Sequence, residues 1–470
     1  MTPDEFRRAG HALIDWIADY RTGLESLPVM SQVKPGEIRA RFPKEPPQEG
    51  APLEQLLGAM ERDVLPGITH WNHPRFFAYF PSNGTLPGVL ADLAAAGLGP
   101  QCMSWQTSPA ATELEEVVLE WLRQMVALPD TFTGVIQDTA SSATLVALLC
   151  ARERTTDFSQ TRGGLQEVKQ PLAVYASDQA HSSVEKAALL AGFGRALVRT
   201  VESDADCAMK VEGLEAAVAE DVAHGIRPCA VVATSGSTAT TAFDPLARIG
   251  EVARKAGAWL HVDAAMAGTA MILPECRSLW QGVEAADSVV FNPHKWMGTG
   301  FELSAYYVRD PQHLVRVMST NPSYLRTAHE GEVKNFRDWG IPLGRRFRAL
   351  KLWFLLHDQG VKGLQARIRR DLENARWLQA QVDAAKDWQR MAPVPLQTVC
   401  LRHLLPDRGA ADVDVHNLGI AQRVNASGVA YVTPAVVKGA QLIRVSVGAE
   451  ETRREHVEQV WAALQQAARA

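Results

Sequence analysis

The chain has 470 residues, 46% hydrophobic and 21% charged, an ordinary globular composition with material for a large core. Lys+Arg 48 against Asp+Glu 53 gives a net charge of -5, which offers no electrostatic footprint for nucleic acid. No run reaches the roughly 18 apolar residues of a membrane helix, the start Met1–Arg8 is polar, and the six cysteines are scattered without metal or disulfide spacing, so a cytoplasmic, reduced protein with no metal is the simplest class.

Residues 3–20 have helical periodicity, with Phe6, Leu13, Ile14, Ile17 and Ala18 on one face. The stretch to about residue 52 is rich in proline and charge and reads as an extended connector. From about residue 108 helices alternate with short apolar strands. Ser108 and Pro109 open the first of these helices as N-cap and first helical residue. Strands are predicted at 134–136, 172–175, 196–201, 230–233, 259–262, 288–291 and 305–308. Helices are predicted at 143–152, 182–191, 211–223 and 246–256. This order predicts a mainly parallel sheet covered by helices on both faces. After about residue 345 the pattern is α+β: helices at 346–356 and 361–384, strands near 398–402 and 443–447, and a last helix from about 451. The basic run Arg345-Arg346-Phe347-Arg348 reads as a helix start with a solvated face.

Ligands on such sheets sit outside the carboxyl ends of the strands. Five groups of residues fall there. Thr139-Ala140-Ser141-Ser142-Ala143-Thr144 is a small-residue turn whose amides and helix N-terminus suit an anion. His181-Ser182-Ser183 offers a ring that stacks on a flat ligand or caps the next helix. Ala233-Thr234-Ser235-Gly236-Ser237-Thr238 ends a strand in hydroxyls, ahead of Asp244-Pro245. The strand 258–262 ends on Asp263, and the strand 287–291 delivers Lys295. Burial disfavours a charged lysine, so Lys295 needs a reason. A lysine for a Schiff base and a carboxylate for a pyridinium nitrogen are what pyridoxal 5'-phosphate (PLP) requires. Taken singly, they are also two polar residues at strand ends.

The joint order is anion turn, histidine, hydroxyl turn, aspartate, lysine. Further segments stand beside it: His73-Pro74-Arg75-Phe76-Phe77-Ala78-Tyr79-Phe80-Pro81, Ser104-Trp105, Thr112-Glu113-Leu114-Glu115, His261-Val262-Asp263-Ala264-Ala265, Asn292-Pro293-His294-Lys295-Trp296 and Ile341-Pro342-Leu343-Gly344-Arg345-Arg346-Phe347-Arg348. On these the chain resembles the group II PLP-dependent decarboxylases. Within them it is similar to the aromatic L-amino-acid decarboxylases, especially bacterial DOPA decarboxylases, over nearly its whole length. The resemblance implies the PLP-dependent transferase fold type I. That fold has a mainly parallel seven-stranded sheet flanked by helices, an N-terminal helical segment and a small α+β C-terminal domain. The implied domains are 1–85, a helical segment and dimerisation arm; 86–345, the large PLP-binding domain; and 346–470, the small domain. A homodimer is implied in the same way.

The resemblance also assigns residues. Lys295 carries the cofactor and Asp263 pairs with its ring nitrogen. His181 stacks on the ring, near the substrate carboxylate. Ala140, Ser141 and Asn292 hold the phosphate, and Thr238, Asp244, Ala265 and His294 complete the cofactor site. Trp71, Tyr79, Phe80 and Pro81 line the side-chain pocket. Tyr324, in a polar loop running to about Lys334 with Gly331 in it, matches the family's catalytic loop tyrosine and would donate the proton to Cα. The implied reaction is decarboxylation of an aromatic L-amino acid to its amine and carbon dioxide. L-DOPA is the first expectation; 5-hydroxytryptophan, tryptophan, tyrosine and phenylalanine stay open.

Two alternatives keep the fold. Related aldehyde synthases replace the loop tyrosine or the stacking histidine, whereas this chain keeps Tyr324 and His181. A silent homologue would lack the lysine or the aspartate, and both are present. Gln101 and Met103 occupy positions where the family usually carries apolar residues that reach the partner subunit's pocket. Gln101 is a candidate for a ring substituent, and Ser82 for a catechol or phenol hydroxyl. Gly344 leaves room for a larger ring. These cues point to different substrates.

Overall fold

Seven short runs rich in β-branched and aromatic residues form seven strands: β1 (Thr133–Gln137), β2 (Leu172–Ser177), β3 (Val198–Val201), β4 (Arg227–Thr234), β5 (Trp259–Asp263), β6 (Ser288–Phe291) and β7 (Ser304–Val308). They make one sheet in the order β1-β7-β6-β5-β4-β2-β3. Strands β3, β2, β4, β5 and β6 are parallel, while β7 runs antiparallel between β6 and β1. Strands β2, β5, β6 and β7 are buried along their whole length, as a sheet with two covered faces requires. All seven predicted strands are present. The third starts at Val198 because Arg195–Leu197 forms a 3-10 turn instead.

The computed structural model describes residues 1–320, 329 and 331–470. By its contacts the chain divides into two units. One holds residues 82–373 and 392–399, and with them the seven-stranded sheet; the other holds residues 1–81, 374–391 and 400–470.

In the sheet-bearing unit, helix Ala140–Thr155 packs across β1, β4, β5, β6 and β7. It lies close because its buried face is made of small residues: Ala140, Ala143, Ala147 and Ala151. Ser108 accepts from the Ala111 N–H and Pro109 opens helix Pro109–Met125, as the sequence predicts. Helices Val211–Ala223 and Leu246–Ala256 keep their predicted bounds and pack on β4.

The other unit begins with helix Pro3–Gly23, closed at its start by a Thr2–Glu5 capping box. Its small sheet has the order β10-β11-β9-β8, from β8 (Trp388–Arg390), β9 (Thr398–His403), β10 (Thr433–Val437) and β11 (Ala440–Ser446). Sequence periodicity finds β9 and β11 and misses the two edge strands. β8 has only 3 residues, and β10 contains Pro434, which is tolerated at a sheet edge.

The helix expected from residue 346 starts at Ala349, and its run to Ala384 is broken at Gly360 (φ 60°, ψ 172°), so two helices stand where two were expected. The solvated face expected of the preceding basic run is corrected at Arg345. Its side chain is 7% exposed and its Nη2 lies 2.7 Å from Glu115 Oε1. A cation with a buried carboxylate partner does not face solvent.

Candidate active site

The carboxyl edge of the sheet gathers the predicted polar residues. Thr234 and Asp263 end β4 and β5 as register partners. Beyond the strands the chain stays paired: Ser235 N donates to Asp263 O (2.8 Å), Ala264 N to Val290 O (2.9 Å) and Asn292 N to Ala265 O (2.8 Å). These bonds fix Asp263, Ala265 and Asn292 along one edge. Asp263 is buried, and its Oδ1 accepts from Ala265 N at 3.0 Å. Its Oδ2 makes no hydrogen bond among the described residues.

Lys295 sits in the tight turn Pro293–Met297, with φ -91° and ψ -110°, outside helical values. Gly298, at φ +95°, closes this turn through a 2.9 Å bond to Pro293 O. A strap of residues 82–85 holds the turn. Ser82 Oγ donates to His294 O (3.0 Å) and Asn83 Nδ2 to Lys295 O (3.4 Å). Gly300 N then donates to Asn83 O (2.8 Å), and Gly84 bridges Thr299. From the other side Trp296 Nε1 donates to Asp371 Oδ2 at 2.9 Å. His294 is buried, with Nδ1 2.7 Å from Leu303 O, and burial beside the Lys295 charge pulls its pKa down to about 3. A neutral imidazole therefore braces the lysine turn.

His181 follows β2. Its Nδ1 accepts from Ser183 N at 3.2 Å, and its ring is exposed to solvent. Its pKa is lowered, first by partial desolvation; the Asp263 charge opposes this and the Lys295 charge adds to it. His181, Asp263 and Lys295 thus follow β2, β5 and β6 of the one sheet.

The turn after β1 opens a helix, as the sequence predicts. Thr139 caps helix Ala140–Thr155 by accepting from Ser142 N (3.4 Å), and Ala143 N donates to Thr139 O (3.1 Å). The amides of Ala140 and Ser141 have no acceptor among the described residues. Asn292 Oδ1 accepts from Ser304 Oγ at 2.7 Å, so its NH2 is the end left to donate. In the hydroxyl turn Thr238 is exposed, and Gly236 has φ +85°. A Cβ at Gly236 would lie 2.3 Å from Ala267 Cβ, so the turn accepts no other residue there without moving. Thr234 Oγ1 and Ser235 Oγ are buried without a hydrogen-bond partner among the described residues. Asp244 stands behind this turn rather than at its surface. Its two oxygens accept from Met209 N and Thr234 N, both at 2.7 Å, and burial pushes its pKa up to about 6.

The expected substrate residues fall in both units, each described by itself. In one, Trp71 stacks on Tyr79 (5.6 Å, 16°), and Tyr79 meets Tyr431 edge-on at 5.9 Å. Phe80 lies under the Arg444 guanidinium at 5.2 Å, and Pro81 is buried. Tyr431 and Arg444 carry no local sequence signal and are missed. In the sheet-bearing unit, Gln101 Oε1 accepts from Arg345 N at 2.8 Å, and Met103 O accepts from Arg337 N at 2.8 Å. A Cβ at Gly344 would lie 3.3 Å from Nε2 of the exposed Gln101 side chain. Tyr324 lies outside the described residues.

A phosphorylated pyridine aldehyde needs three things: amides for its phosphate, a carboxylate for a protonated ring nitrogen, and a primary amine. The Ala140 and Ser141 amides, the second oxygen of Asp263 and Lys295 are those groups, so the donor set fits PLP.

Residues 35–404 match the family described as the pyridoxal-dependent decarboxylase conserved domain. The aromatic-L-amino-acid decarboxylase of Cavia porcellus is 39% identical over 484 residues, covering 100% of this chain and 98% of that protein. A phenylacetaldehyde synthase of Arabidopsis thaliana is 38% identical over 478 residues, covering 100% of this chain and 96% of that protein. The crystal structure of Oryza sativa TDC with PLP and tryptamine superposes with a TM-score of 0.97 at 36% identity, covering 100% of this chain and 98% of that one. The chain therefore belongs to the pyridoxal-dependent decarboxylases, in their aromatic-L-amino-acid decarboxylase family, and is a PLP-dependent carboxy-lyase.

Proposed function

We propose that the protein decarboxylates an aromatic L-amino acid to its amine, with L-DOPA the first substrate to try. The observation that carries this reading is the backbone pairing beyond β5 and β6, Ala264 N to Val290 O and Asn292 N to Ala265 O, which brings Asp263 and the Lys295 turn to one edge of the sheet. Bound PLP supplies a sink for the electron pair left when carbon dioxide departs. Lys295 holds the cofactor through its amine. Asp263 keeps the ring nitrogen protonated, with its Oδ2 as the acceptor. Ala140, Ser141 and Asn292 bind the phosphate, and Thr238, Ala265 and His294 shape the site around the ring. Asp244 acts from behind, through the backbone of Thr234. His181 would stack on the ring, near the substrate carboxylate. Tyr324 delivers the proton to Cα.

The side-chain pocket is assigned to Trp71, Tyr79, Phe80 and Pro81, with Ser82, Gln101, Met103 and Gly344 tuning it. A homodimer fits the apolar residues left exposed on helix Leu86–Leu98: Leu86, Leu90, Leu93 and Leu98. Among the described residues no helix is long and apolar enough to cross a membrane, and a cytoplasmic location is part of this proposal.

Product analysis by mass spectrometry tests the reading. The PLP-loaded protein is incubated in air with L-DOPA, 5-hydroxytryptophan, tryptophan, tyrosine, phenylalanine, histidine and glutamate. Amine and carbon dioxide from one aromatic substrate support it and name the substrate. Aldehyde with ammonia would move the chain to the oxygen-dependent branch. Amine from glutamate or histidine alone would overturn the aromatic assignment.

A further inference from the structure

Behind Asp263 runs a chain of hydrogen bonds that the chemistry above does not use. Trp259 Nε1 donates to Ser288 Oγ at 2.8 Å. Ser288 Oγ lies 2.9 Å from His261 Nδ1. His261 Nε2 lies 3.3 Å from Thr144 Oγ1, and Thr144 Oγ1 donates to Ala140 O at 2.9 Å. Trp259 is 2% exposed, and Thr144, His261 and Ser288 are 0% exposed.

One arrangement of protons serves every member of the chain and uses the shorter Thr144 contact, the one to Ala140 O. The Thr144 hydroxyl proton lies on the Ala140 carbonyl, so toward His261 that oxygen accepts. In that arrangement His261 Nε2 carries the ring proton. Burial pulls the His261 pKa down to about 4 against the opposing charge of Asp263, so the ring is neutral and its Nδ1 is bare. Nδ1 accepts from the Ser288 hydroxyl, whose oxygen accepts from the indole. Every donor points the same way, from Trp259 to Ala140, and bonds so aligned strengthen one another. The links join β6, β5 and the first turn of helix Ala140–Thr155. One end is the residue whose amide opens the anion turn. His261 is two residues from Asp263, on the same face of β5.

We propose that His261 is a positioning residue: held as the Nε2–H tautomer, it ties the phosphate-binding turn to β5 and sets the spacing between that turn and Asp263. The proposal rests on PLP binding at this edge. Two measurements test it. Nitrogen-15 spectra of histidine-labelled holoenzyme, with the His261 signal assigned by its loss in His261→Gln, should show a neutral Nε2–H ring unchanged from pH 6 to 8. PLP affinity of the apoprotein should fall about 5- to 10-fold in Thr144→Val and recover in Thr144→Ser, the effect of one buried hydrogen bond. An Nδ1–H or charged His261, or wild-type affinity in Thr144→Val, overturns the proposal. If Thr144→Val does not fold, the tautomer in the wild-type protein decides. Wild-type protein that takes up no PLP would instead strike down the cofactor assignment beneath it.

Discussion

Ser304 donates its hydroxyl to Asn292 Oδ1 at 2.7 Å, with both residues buried. The bond occupies the Asn292 oxygen and leaves the NH2 for the proposed phosphate. Ser304→Ala frees that amide to rotate. PLP affinity should fall about 3- to 10-fold, read by equilibrium dialysis. An unchanged Kd would remove Ser304 from this role.

Lys295→Ala should leave no PLP mass on the chain after borohydride reduction. Amine formation should drop by at least about 1,000-fold, the scale seen when a covalent catalyst is lost. Cofactor still fixed to the variant chain would show that another amine carries it.

Tyr324→Phe should lower amine formation by about 100-fold, as loss of a general acid does, while aldehyde and ammonia rise. Product ratios equal to the wild type would take Tyr324 out of the proton-donor role.

Glu115 Oε1 holds Arg345 Nη2 at 2.7 Å and also accepts from Ile136 N at 2.9 Å. Glu115→Ala leaves a guanidinium buried without its carboxylate. The expected loss is about 3–5 kcal/mol, measured by urea unfolding. Glu115→Gln, which keeps the acceptor for Ile136 N, should lose less.

Three buried histidines shape the response to acid. Burial pulls His73 and His294 down to about 3 and His261 to about 4. Each folded value lies below the ordinary 6.5, so between these limits the unfolded chain binds protons that the folded chain refuses. Stability from these groups is present above pH 6.5 and is lost as pH falls, by at most about 1.4 kcal/mol per pH unit for each. Asp244 and Asp371, both raised to about 6, oppose this between 3.8 and 6, because there the folded state keeps a proton that the unfolded state releases. His294→Asn should therefore shrink the drop in melting temperature between pH 6.5 and pH 4. A drop as large as the wild type's would show that His294 does not titrate as its burial requires.

The strands of the large sheet were readable because most are covered on both faces and so appear as near-continuous apolar runs. Val289-Val290-Phe291 is one, and all three residues are 0% exposed. Asp263 and Lys295 were readable for the opposite reason: each puts a charge just where such a run stops. Ser304 and Asn83 were not. They are small neutral residues whose importance comes from the atom each one meets, and that atom lies on another element. Tyr431 joins an aromatic cluster with Trp71, Phe76 and Tyr79, but no local pattern around residue 431 marks it. The basic run at Arg345 misled for a related reason: its carboxylate partner stands 230 positions earlier in the chain.

The alanine face of helix Ala140–Thr155 has a consequence for how this protein tolerates change. Ala147 sits about two turns from Ala140 and is 0% exposed. Adding a methyl group at so buried a position would overpack the helix against the sheet. Its effect would reach the helix start, where the phosphate is proposed to bind. Variation deep in the core would then show itself first as weaker cofactor retention.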